Sequence, residues 1–528
     1  MRTIGWKRNA FRQILIYDPA WGYTTAVSNA FRSLVSQRSW NFEPQLEFTR
    51  RLGPGDLQVL GGLTFQERTA HALQLSGTGF ANNNLIDNLS AATTVYILAD
   101  SEVLYRYNAI FGRLNYNIDG KYILNLTGRR DGSSRFGPGK RFANFGAVGG
   151  AWIFSKEKIF ADMQTALSFG KLRGSYGTTG SDQIGDYQYL STYQATGVPY
   201  QGVVGLQPVR LFNPDFSWET NKKLEFAVEL GFLKDRLYLT AAHYRNRSSS
   251  QLVGIPLPTM TGFPSIQANL DATVQNTGWE FDFRTIILDT GKWNWTASAN
   301  VTFARNKLLR YDGLESSTYA EQYIIGQPLD IVKVYHNTGV DQQTGLYTFQ
   351  DYNGDGQITW PEDSQKIVSL TPDYYGGLQN SLSYKNWSLD FLLQFVKQQG
   401  YNHFNTGAIP GLPDNQPAAV VSAWQSGSPS DIQLYTAGYN NEALDAFYNF
   451  IGSDGVISDA SFLRLKNLSI SYTLPKEWLP STSCRLYFQG QNLLTLTKFK
   501  GADPENQTRG SLPPLRTLSF GVQIDFQP

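Results

Sequence analysis

The chain has little cysteine, histidine, charge or uninterrupted apolar sequence. One cysteine (Cys484) and four histidines among 528 residues exclude a disulfide framework and a cysteine-ligated zinc site. Charged residues make up 17% of the chain, and the net charge of +1 gives no electrostatic footprint for nucleic acid or an anionic membrane surface. No run of 18 apolar residues occurs, which excludes a helical membrane span.

What the chain does contain is aromatic residues, glycine and a strict alternation of apolar and polar positions. Aromatic residues make up 14% of the chain and glycine occurs 49 times, a composition that suits many strands joined by turns. In the C-terminal stretch RTLSFGVQIDFQP, one face is apolar and the other polar, as in a strand with one apolar side. The apolar face consists of Leu518, Phe520, Val522, Ile524 and Phe526.

The connections between these strands alternate between short turns and long polar stretches. Short turns are predicted at Gly53–Gly55, Asp119–Gly120, Lys234–Asp235, Thr290–Gly291, Lys385–Asn386 and Pro475–Lys476. The long stretches are 68–101, 131–141, 179–221, 247–273, 306–374, 399–460 and 495–514. Membrane barrels place short turns in the periplasm and long loops outside the cell. We therefore predict an all-β fold, a transmembrane antiparallel β-barrel, with about 16 strands in this chain. The alternative is a large soluble all-β protein, but no propeller or β-helix repeat is visible.

Several long motifs resemble the SusC/RagA family of TonB-dependent outer-membrane transporters. They are YILNLTGRRDGSSRFGPGKRF (122–142), KLRGSYGTTGSDQIGDYQY (171–189), NPDFSWETNKKLEF (213–226), TPDYYGGLQNSLSYKNWSLDFLLQF (371–395) and DASFLRLKNLSISYTLPKEWL (459–479). The resemblance extends from about residue 40 to the C-terminus. It covers enough motifs, in the right order, to identify the chain as SusC/RagA-like.

The resemblance implies a barrel of about 22 strands in the outer membrane of a Bacteroidetes-type bacterium, within the known range for such barrels. It further implies a plug inside the barrel, a SusD-like surface lipoprotein as a lid, and TonB-powered nutrient uptake of oligosaccharides or peptides. We expect residues 1–528 to be the C-terminal part of such a barrel domain, without signal peptide, TonB box or plug. TonB would then act only through the missing plug.

The stretch DYNGDGQITWPED matches a calcium loop of the EF-hand type. Its template is D-x-[DN]-x-[DN]-G-x5-E, with oxygen ligands at positions 1, 3, 5, 7 and 12. The predicted ligands are Asp351, Asn353, Asp355, the main-chain carbonyl of Gln357, and Glu362. The loop 351–362 falls in the long segment 306–374, so we expect structural Ca²⁺ in an extracellular loop, or else a metal-free turn. No organic cofactor is expected.

Aromatic residues in the long segments are candidate substrate-binding residues, because rings stack on sugar faces. The candidates are Trp218, Tyr401, Trp424 and Tyr435. The alternative is that loops pack their own aromatic residues. Trp279, Trp293, Trp295 and Trp387 are expected in the aromatic girdles at the membrane interfaces. Five basic residues in 128–141 are expected to pair with carboxylates inside the barrel rather than to hold an anionic ligand.

Covalent chemistry is not expected, since the chain has no nucleophile elbow, phosphate loop or histidine cluster. The function that the sequence favours is the barrel part of a SusC-like importer. Two alternatives remain open at this stage. One is a passive outer-membrane porin, and the other is a secreted calcium-dependent glycan-binding β-protein.

Overall fold

The computed structural model describes residues 2–15, 28–163, 166–196, 199–406, 409–412, 415–436, 440–479, 482–507 and 512–526. In this part of the chain, strands dominate. The first strands are β1 (Arg2–Leu15), β2 (Asn29–Phe42), β3 (Gln45–Leu52), β4 (Gly55–Thr78), β5 (Thr94–Ile118), β6 (Tyr122–Ser133), β7 (Phe142–Trp152), β8 (Leu167–Ser181), β9 (Thr192–Ala195), β10 (Leu206–Arg210), β11 (Glu219–Phe232) and β12 (Leu237–Pro256). They are followed by β13 (Ser265–Asp289), β14 (Trp293–Tyr311), β15 (Ile331–Val334), β16 (Asn337–Val340), β17 (Tyr347–Phe349), β18 (Lys366–Ser369), β19 (Tyr374–Tyr384), β20 (Trp387–Lys397), β21 (Gln399–Tyr401), β22 (Ile457–Asp459), β23 (Phe462–Thr473), β24 (Thr482–Thr497) and β25 (Thr517–Phe526).

Helical structure in the described residues is confined to short segments. The α-helix α1 spans Asn441–Ile451. Short 3-10 helices span Asn83–Leu85, Leu89–Ala91, Phe154–Lys156, Lys158–Met163, Thr259–Thr261, Leu314–Ser316, His403–Thr406, Ala418–Ser422 and Asp454–Val456. None of the helices in the described ranges has the length and apolarity needed to cross a bilayer.

Helix α1 forms because a local cap and one apolar face favour it. The side chain of Asn440 accepts the main-chain N–H of Ala443 at 3.1 Å, which satisfies a free donor of the first turn. Ala443, Phe447 and Phe450 follow at a spacing of four and three residues and are buried. Gly452 ends the helix.

The short turns lie where the sequence predicts them. Strands β3 and β4 are separated only by residues 53–54, and β19 and β20 only by residues 385–386. Asp119 and Gly120 both have positive φ, 50° and 64°, as a type I′ hairpin turn requires. The predicted turn type is thus confirmed, and 17 strands of the described chain belong to the largest sheet, close to the number expected.

The predicted bounds of the long connections are wrong in several places. The sequence predicts a long connection over 68–101, but β4 continues to Thr78 and β5 begins at Thr94. Likewise β12 and β13 extend into the predicted loop 247–273. The hydrogen-bond ladder continues there although the strict alternation of apolar and polar residues does not, because main-chain pairing does not require one apolar face. The period-two pattern therefore ends before the strands do.

The chain divides into two compact units. The first comprises Met1–Gly150, Ser175–Lys223 and Ser248–Asp271, and the second comprises Ala151–Gly174, Leu224–Arg247 and Ala272–Pro528. In the first unit, antiparallel pairing runs from β1 to β2, from β2 and β3 to β4, and on through β5 to β6. Its buried core cluster consists of Phe136, Phe145, Tyr189, Phe216 and Trp218.

In the second unit, antiparallel pairs connect β13, β14, β19, β20, β23, β24 and β25 in that order. Its buried core is formed by residues of the long connections, including helix α1. The buried members are Tyr347, Ile409, Phe447, Phe450 and Val456. The rings of Tyr347 and Phe450 stack at 4.0 Å, which joins the strand β17 to the helix.

Candidate functional site

The strands of the second unit have one apolar and one polar face. In β13, Glu280, Asp282 and Arg284 oppose Thr302, Asn300 and Ser298 of β14, and the polar row continues with Gln379 and Ser381 of β19. The other face carries Trp279, Phe281 and Phe283, opposite Phe303, Val301 and Ala299. Such alternation suits a strand with lipid on one side and water on the other.

Aromatic side chains occur at both ends of the apolar face. Next to the short turns, Trp293 contacts Tyr384 at 4.1 Å between ring centroids and Trp387 contacts Tyr472 at 4.7 Å. Trp293 and Phe303 lie on the same face of β14, ten residues apart. At about 3.4 Å per residue along the strand and a strand tilt of about 40°, their separation along the membrane normal is roughly 26 Å. The spacing matches the height of the apolar band in outer-membrane barrels.

The polar face of the second unit also lines a cavity of about 590 Å³. Its wall includes Arg284, Ser298, Gln379 and Ser381 together with Tyr238. Hydroxyl, amide and guanidinium groups can bind peptide or sugar groups without covalent chemistry. This face is therefore suited to the passage of polar molecules.

The first half of the predicted calcium loop folds tightly around Asp351. The carboxylate of Asp351 accepts the main-chain N–H of Gly354 at 2.6 Å and that of Gly356 at 2.8 Å. Both glycines have positive φ, 75° and 79°, a conformation that glycine adopts without strain. Gly356 thus makes the sharp turn that position 6 of a calcium loop requires.

The ligand residues at positions 3 and 5 continue the same arrangement. Asn353 Oδ1 accepts the main-chain N–H of Asp355 at 3.0 Å, and Asp355 Oδ1 accepts that of Gln357 at 2.8 Å. These bonds fix the three side chains close to one another, with Asn353 Nδ2 donating to Asp355 Oδ2 at 3.0 Å. The first five positions are therefore compatible with a hard cation.

The closing position of the loop does not fit the prediction. Glu362 is exposed, whereas Asp363, the next residue, is fully buried. The carboxylate of Asp363 accepts the main-chain N–H of Tyr352 at 2.7 Å and that of Thr359 at 2.9 Å. Among the described residues, no three His, Cys, Asp or Glu side chains are close enough together to hold a metal ion. Glu362, at position 12, is therefore not placed to close a cation site in this structure.

Of the predicted substrate-binding aromatic residues, Trp218 lies in the core of the first unit. Its side chain is 8% exposed and packs on Phe136 and Phe145 at centroid distances of 5.1 and 5.8 Å. Its Nε1 donates to the main-chain carbonyl of Arg141 at 3.0 Å. In this position the indole has neither a free face nor a free donor for a ligand.

The other three candidates belong to the second unit. Tyr401 is half-buried against the core around helix α1, and Trp424 is half-buried over Gly345. Tyr435 is 46% exposed, although its hydroxyl donates to the main-chain carbonyl of Val420 at 3.0 Å. Tyr435 is therefore the member of the set whose ring is most available to a ligand.

The basic residues of 128–141 have different environments. Arg129 pairs with Asp131 at 2.8 Å, and Arg135 pairs with Asp186 at 3.0 Å, as predicted for structural ion pairs. Arg130 instead lies over the ring of Phe142 at 5.3 Å. In the described chain, Arg141 has no carboxylate partner and donates to the carbonyl of Phe136 at 3.4 Å. The predicted pairing with carboxylates is therefore observed for Arg129 and Arg135 but, among the described residues, not for Arg130 and Arg141.

Sequence reasoning missed a buried arginine in the second unit. Arg464 is 1% exposed and pairs with both Asp503 and Glu505, and Lys466 also pairs with Glu505 at 3.0 Å. The signal was present in the motif FLRLKN, where a basic residue interrupts an apolar strand. The partners follow 39 and 41 residues later, which no local pattern reveals.

Comparison with known proteins agrees with these observations. The family model described as "TonB dependent receptor-like, beta-barrel" matches residues 3–493. TonB-dependent receptor P26 of Formosa agariphila is 27% identical over 554 residues, covering 94% of this chain and 54% of that protein. TonB-dependent receptor SusC of Bacteroides thetaiotaomicron is 24% identical over 93% of this chain and 50% of its own length. The chain spans about half the length of the curated relatives it matches.

A solved structure of the RagAB peptide transporter superposes with a TM-score of 0.85 at 25% sequence identity, covering 99% of this chain and 59% of that one. The predicted resemblance to SusC/RagA proteins and the predicted fold class, a transmembrane antiparallel β-barrel, are confirmed. The chain belongs to the TonB-dependent receptor β-barrel family and is an outer-membrane protein.

Proposed function

We propose that this chain is the barrel part of a SusC-like importer that takes up oligosaccharides or peptides and does no covalent chemistry. The observation that carries the proposal is the similarity over nearly the whole chain to RagAB, which is described as a peptide transporter and as a peptide importer. The polar face of the second unit, with its Arg284 and Gln379 cavity, would line the path. The apolar face between the aromatic rings would contact lipid, with the long connections outside the cell.

A SusD-like lipoprotein is the proposed partner at the extracellular end, where it would close over the loops. TonB would supply energy from the inner membrane through a plug domain. The similarity to SusC and to a RagAB assembly supports both partners. Tyr435 is the proposed ligand contact among the four aromatic candidates, while Tyr401 and Trp424 would shape the surface around it.

The test is uptake by the source bacterium of fluorescent peptides and of fluorescent oligosaccharides of matched size. Deleting the gene should abolish the uptake of one class, and deleting TonB should have the same effect. Co-purification of a surface lipoprotein with the tagged protein is the second expected result. Uptake that depends on the gene but not on TonB would contradict the proposal and favour a passive porin.

We also propose a calcium site in the loop 351–362. Asp351, Asn353, Asp355 and the carbonyl of Gln357 would provide the ligands, and Glu362 would have to turn inward to complete them. The ion would stiffen an extracellular loop. The folded first half of the loop supports this proposal, and the exposed Glu362 argues for a weak site.

Terbium luminescence tests the calcium proposal, because Tyr352 and the exposed Trp360 are antennae within the loop. Calcium should displace terbium, and Glu362→Gln should weaken the binding of both ions about ten-fold or more. Glu315→Gln is the matched control for charge, because Glu315 is exposed in the same long connection but outside the loop. Absence of luminescence would show that the loop is a metal-free turn, and equal binding by Glu362→Gln would show that Glu362 is not a ligand.

A further inference from the structure

One face of the first unit changes abruptly from apolar to charged. On β4 and β5, Leu63 opposes Ile110 and Phe65 opposes Asn108, and the first three of these side chains are exposed. The next pair on that face toward the long connections is Glu67 opposite Arg106. The charged pair thus begins directly where the exposed apolar surface ends.

A cavity of about 480 Å³ lies at this border. Trp40, Phe65 and Phe142 provide aromatic surface, and Arg106 and Asn108 provide polar groups. Trp40 opposes Glu67 across β2 and β4, so it lies on the same face as the charged pair. The cavity is therefore amphipathic, with rings beside the apolar surface and a guanidinium beyond them.

The guanidinium of Arg106 has unused donors. Its Nε donates to Glu67 Oε2 at 2.8 Å, and its side chain is 67% exposed. In the part of the chain that the structure describes, its two terminal amino groups have no partner. Arg141 also lines the cavity and has no carboxylate partner among the described residues. Two arginine residues and one carboxylate residue thus line the cavity.

We propose that this cavity binds the phosphorylated sugar head group of an outer-leaflet glycolipid, of the lipid A type. Guanidinium groups bind phosphate bidentately, and the rings of Trp40 and Phe142 would lie against the sugar. The acyl chains would continue over Phe65, Leu63 and the apolar face below. A soluble anion has no apolar part that would contact this apolar surface, whereas the acyl chains of a lipid would, and we therefore propose a lipid. The inference rests on the proposed outward direction of the long connections.

The experiment uses the intact chain, extracted in mild detergent and stripped of lipid, with purified bisphosphorylated lipid A as the probe. Binding is followed by native mass spectrometry. Saturable binding of one lipid is expected, and Arg106→Gln should weaken it about ten-fold, as for the loss of a charge-assisted hydrogen bond to phosphate. Arg113→Gln is the matched control, since Arg113 is exposed on the same strand but on the opposite face. It should leave the affinity unchanged.

A second variant separates ligand binding from a structural role of the ion pair. Glu67→Gln removes the carboxylate that competes for Arg106, so it should tighten lipid binding a few-fold. If the pair only stabilised the fold, Glu67→Gln and Arg106→Gln would weaken binding alike, and the inference would be overturned. Equal binding of dephosphorylated lipid A would overturn it as well.

Inorganic phosphate distinguishes the two sources of the anion. If phosphate alone displaced the lipid at similar concentrations, the cavity would be an anion site and the lipid assignment would be wrong. The assay contains no transport step, so a failure of the uptake experiment with lipid binding intact would reject the transport proposal alone.

Discussion

The carboxylate of Asp363 accepts the main-chain N–H of Tyr352 at 2.7 Å, across the loop in which the sequence predicts a calcium site. Hydrogen bonds from main-chain N–H groups, chiefly that of Thr359, lower the pKa of Asp363 below its ordinary value. Because the pKa is lowered in the folded loop, the ionised form stabilises the loop at neutral pH. That contribution is lost as the pH falls from about 4 through the lowered pKa.

Asp363→Asn should therefore loosen the loop even without calcium. We expect the Tyr352 and Thr359 amides to exchange hydrogen roughly ten-fold faster in this variant at neutral pH, because a charged acceptor is replaced by a neutral one. The wild-type amides should lose protection in acid, after correction for intrinsic exchange. Hydrogen exchange with mass spectrometry measures both effects. Glu362→Gln is the control, and an equal loss of protection in that variant without calcium would refute the prediction.

The first half of the calcium loop could be predicted from sequence because its interactions are local. Asp351, Asn353 and Asp355 each bond to main-chain groups two to five residues away, which spacing alone encodes. The closing position could not be predicted, because two adjacent carboxylates compete for it. Which of Glu362 and Asp363 turns inward depends on packing that the spacing does not contain.

The fold was predictable for a related reason. Alternating faces and turn dipeptides such as Asp119–Gly120 are local, and they located the hairpins. The burial of Trp218 is a long-range property, since its ring contacts Phe136 and Phe145 from another part of the chain. The sequence does not distinguish an aromatic residue of a polar segment that packs in the core from one that binds a ligand.

Replacing Trp218 and Tyr435 separately should distinguish packing from binding. Trp218→Ala should cost about 3–5 kcal/mol of stability, since it removes a buried indole from the core cluster. Tyr435→Ala should cost about 1 kcal/mol through the lost bond to Val420, and it should lower ligand uptake. Thermal unfolding in detergent and the uptake assay measure the two effects. A Trp218→Ala protein with unchanged stability would contradict the packing interpretation.

Arg464 should be among the most sensitive positions of the second unit. Arg464→Met leaves Asp503 and Glu505 without their buried partner, at an expected cost of about 3–5 kcal/mol. Arg464→Lys keeps the charge but cannot contact both carboxylates in the same geometry. Its unfolding midpoint should therefore fall between those of the wild type and Arg464→Met. Arg310→Met is the control, because its ion pair with Asp312 is exposed and should contribute less than about 1 kcal/mol.

The first unit contains a comparable arginine, Arg135, which joins two connections to strand β5. Its Nη1 donates to the carbonyl of Asp182 at 2.7 Å, its Nε pairs with Asp186 at 3.0 Å, and its guanidinium lies 4.5 Å from the ring of Tyr105. Asp182 in turn accepts the hydroxyl of Tyr105 at 2.9 Å.

Since Arg135 is nearly buried, Arg135→Gln should leave Asp186 with one weak partner, Arg68 at 3.5 Å, and should release the segment 182–190. We expect faster hydrogen exchange and new protease cleavage in that segment, with the strands β4 and β5 still protected. Arg130→Gln is the matched control, because the contacts of Arg130 among the described residues are with the exposed Phe142 ring and Asn144. Equal cleavage of the two variants, or protection of 182–190 in Arg135→Gln, would show that the ion pair does not hold this segment. Loss of uptake in Arg135→Gln alone would further indicate that the order of this connection is needed for transport.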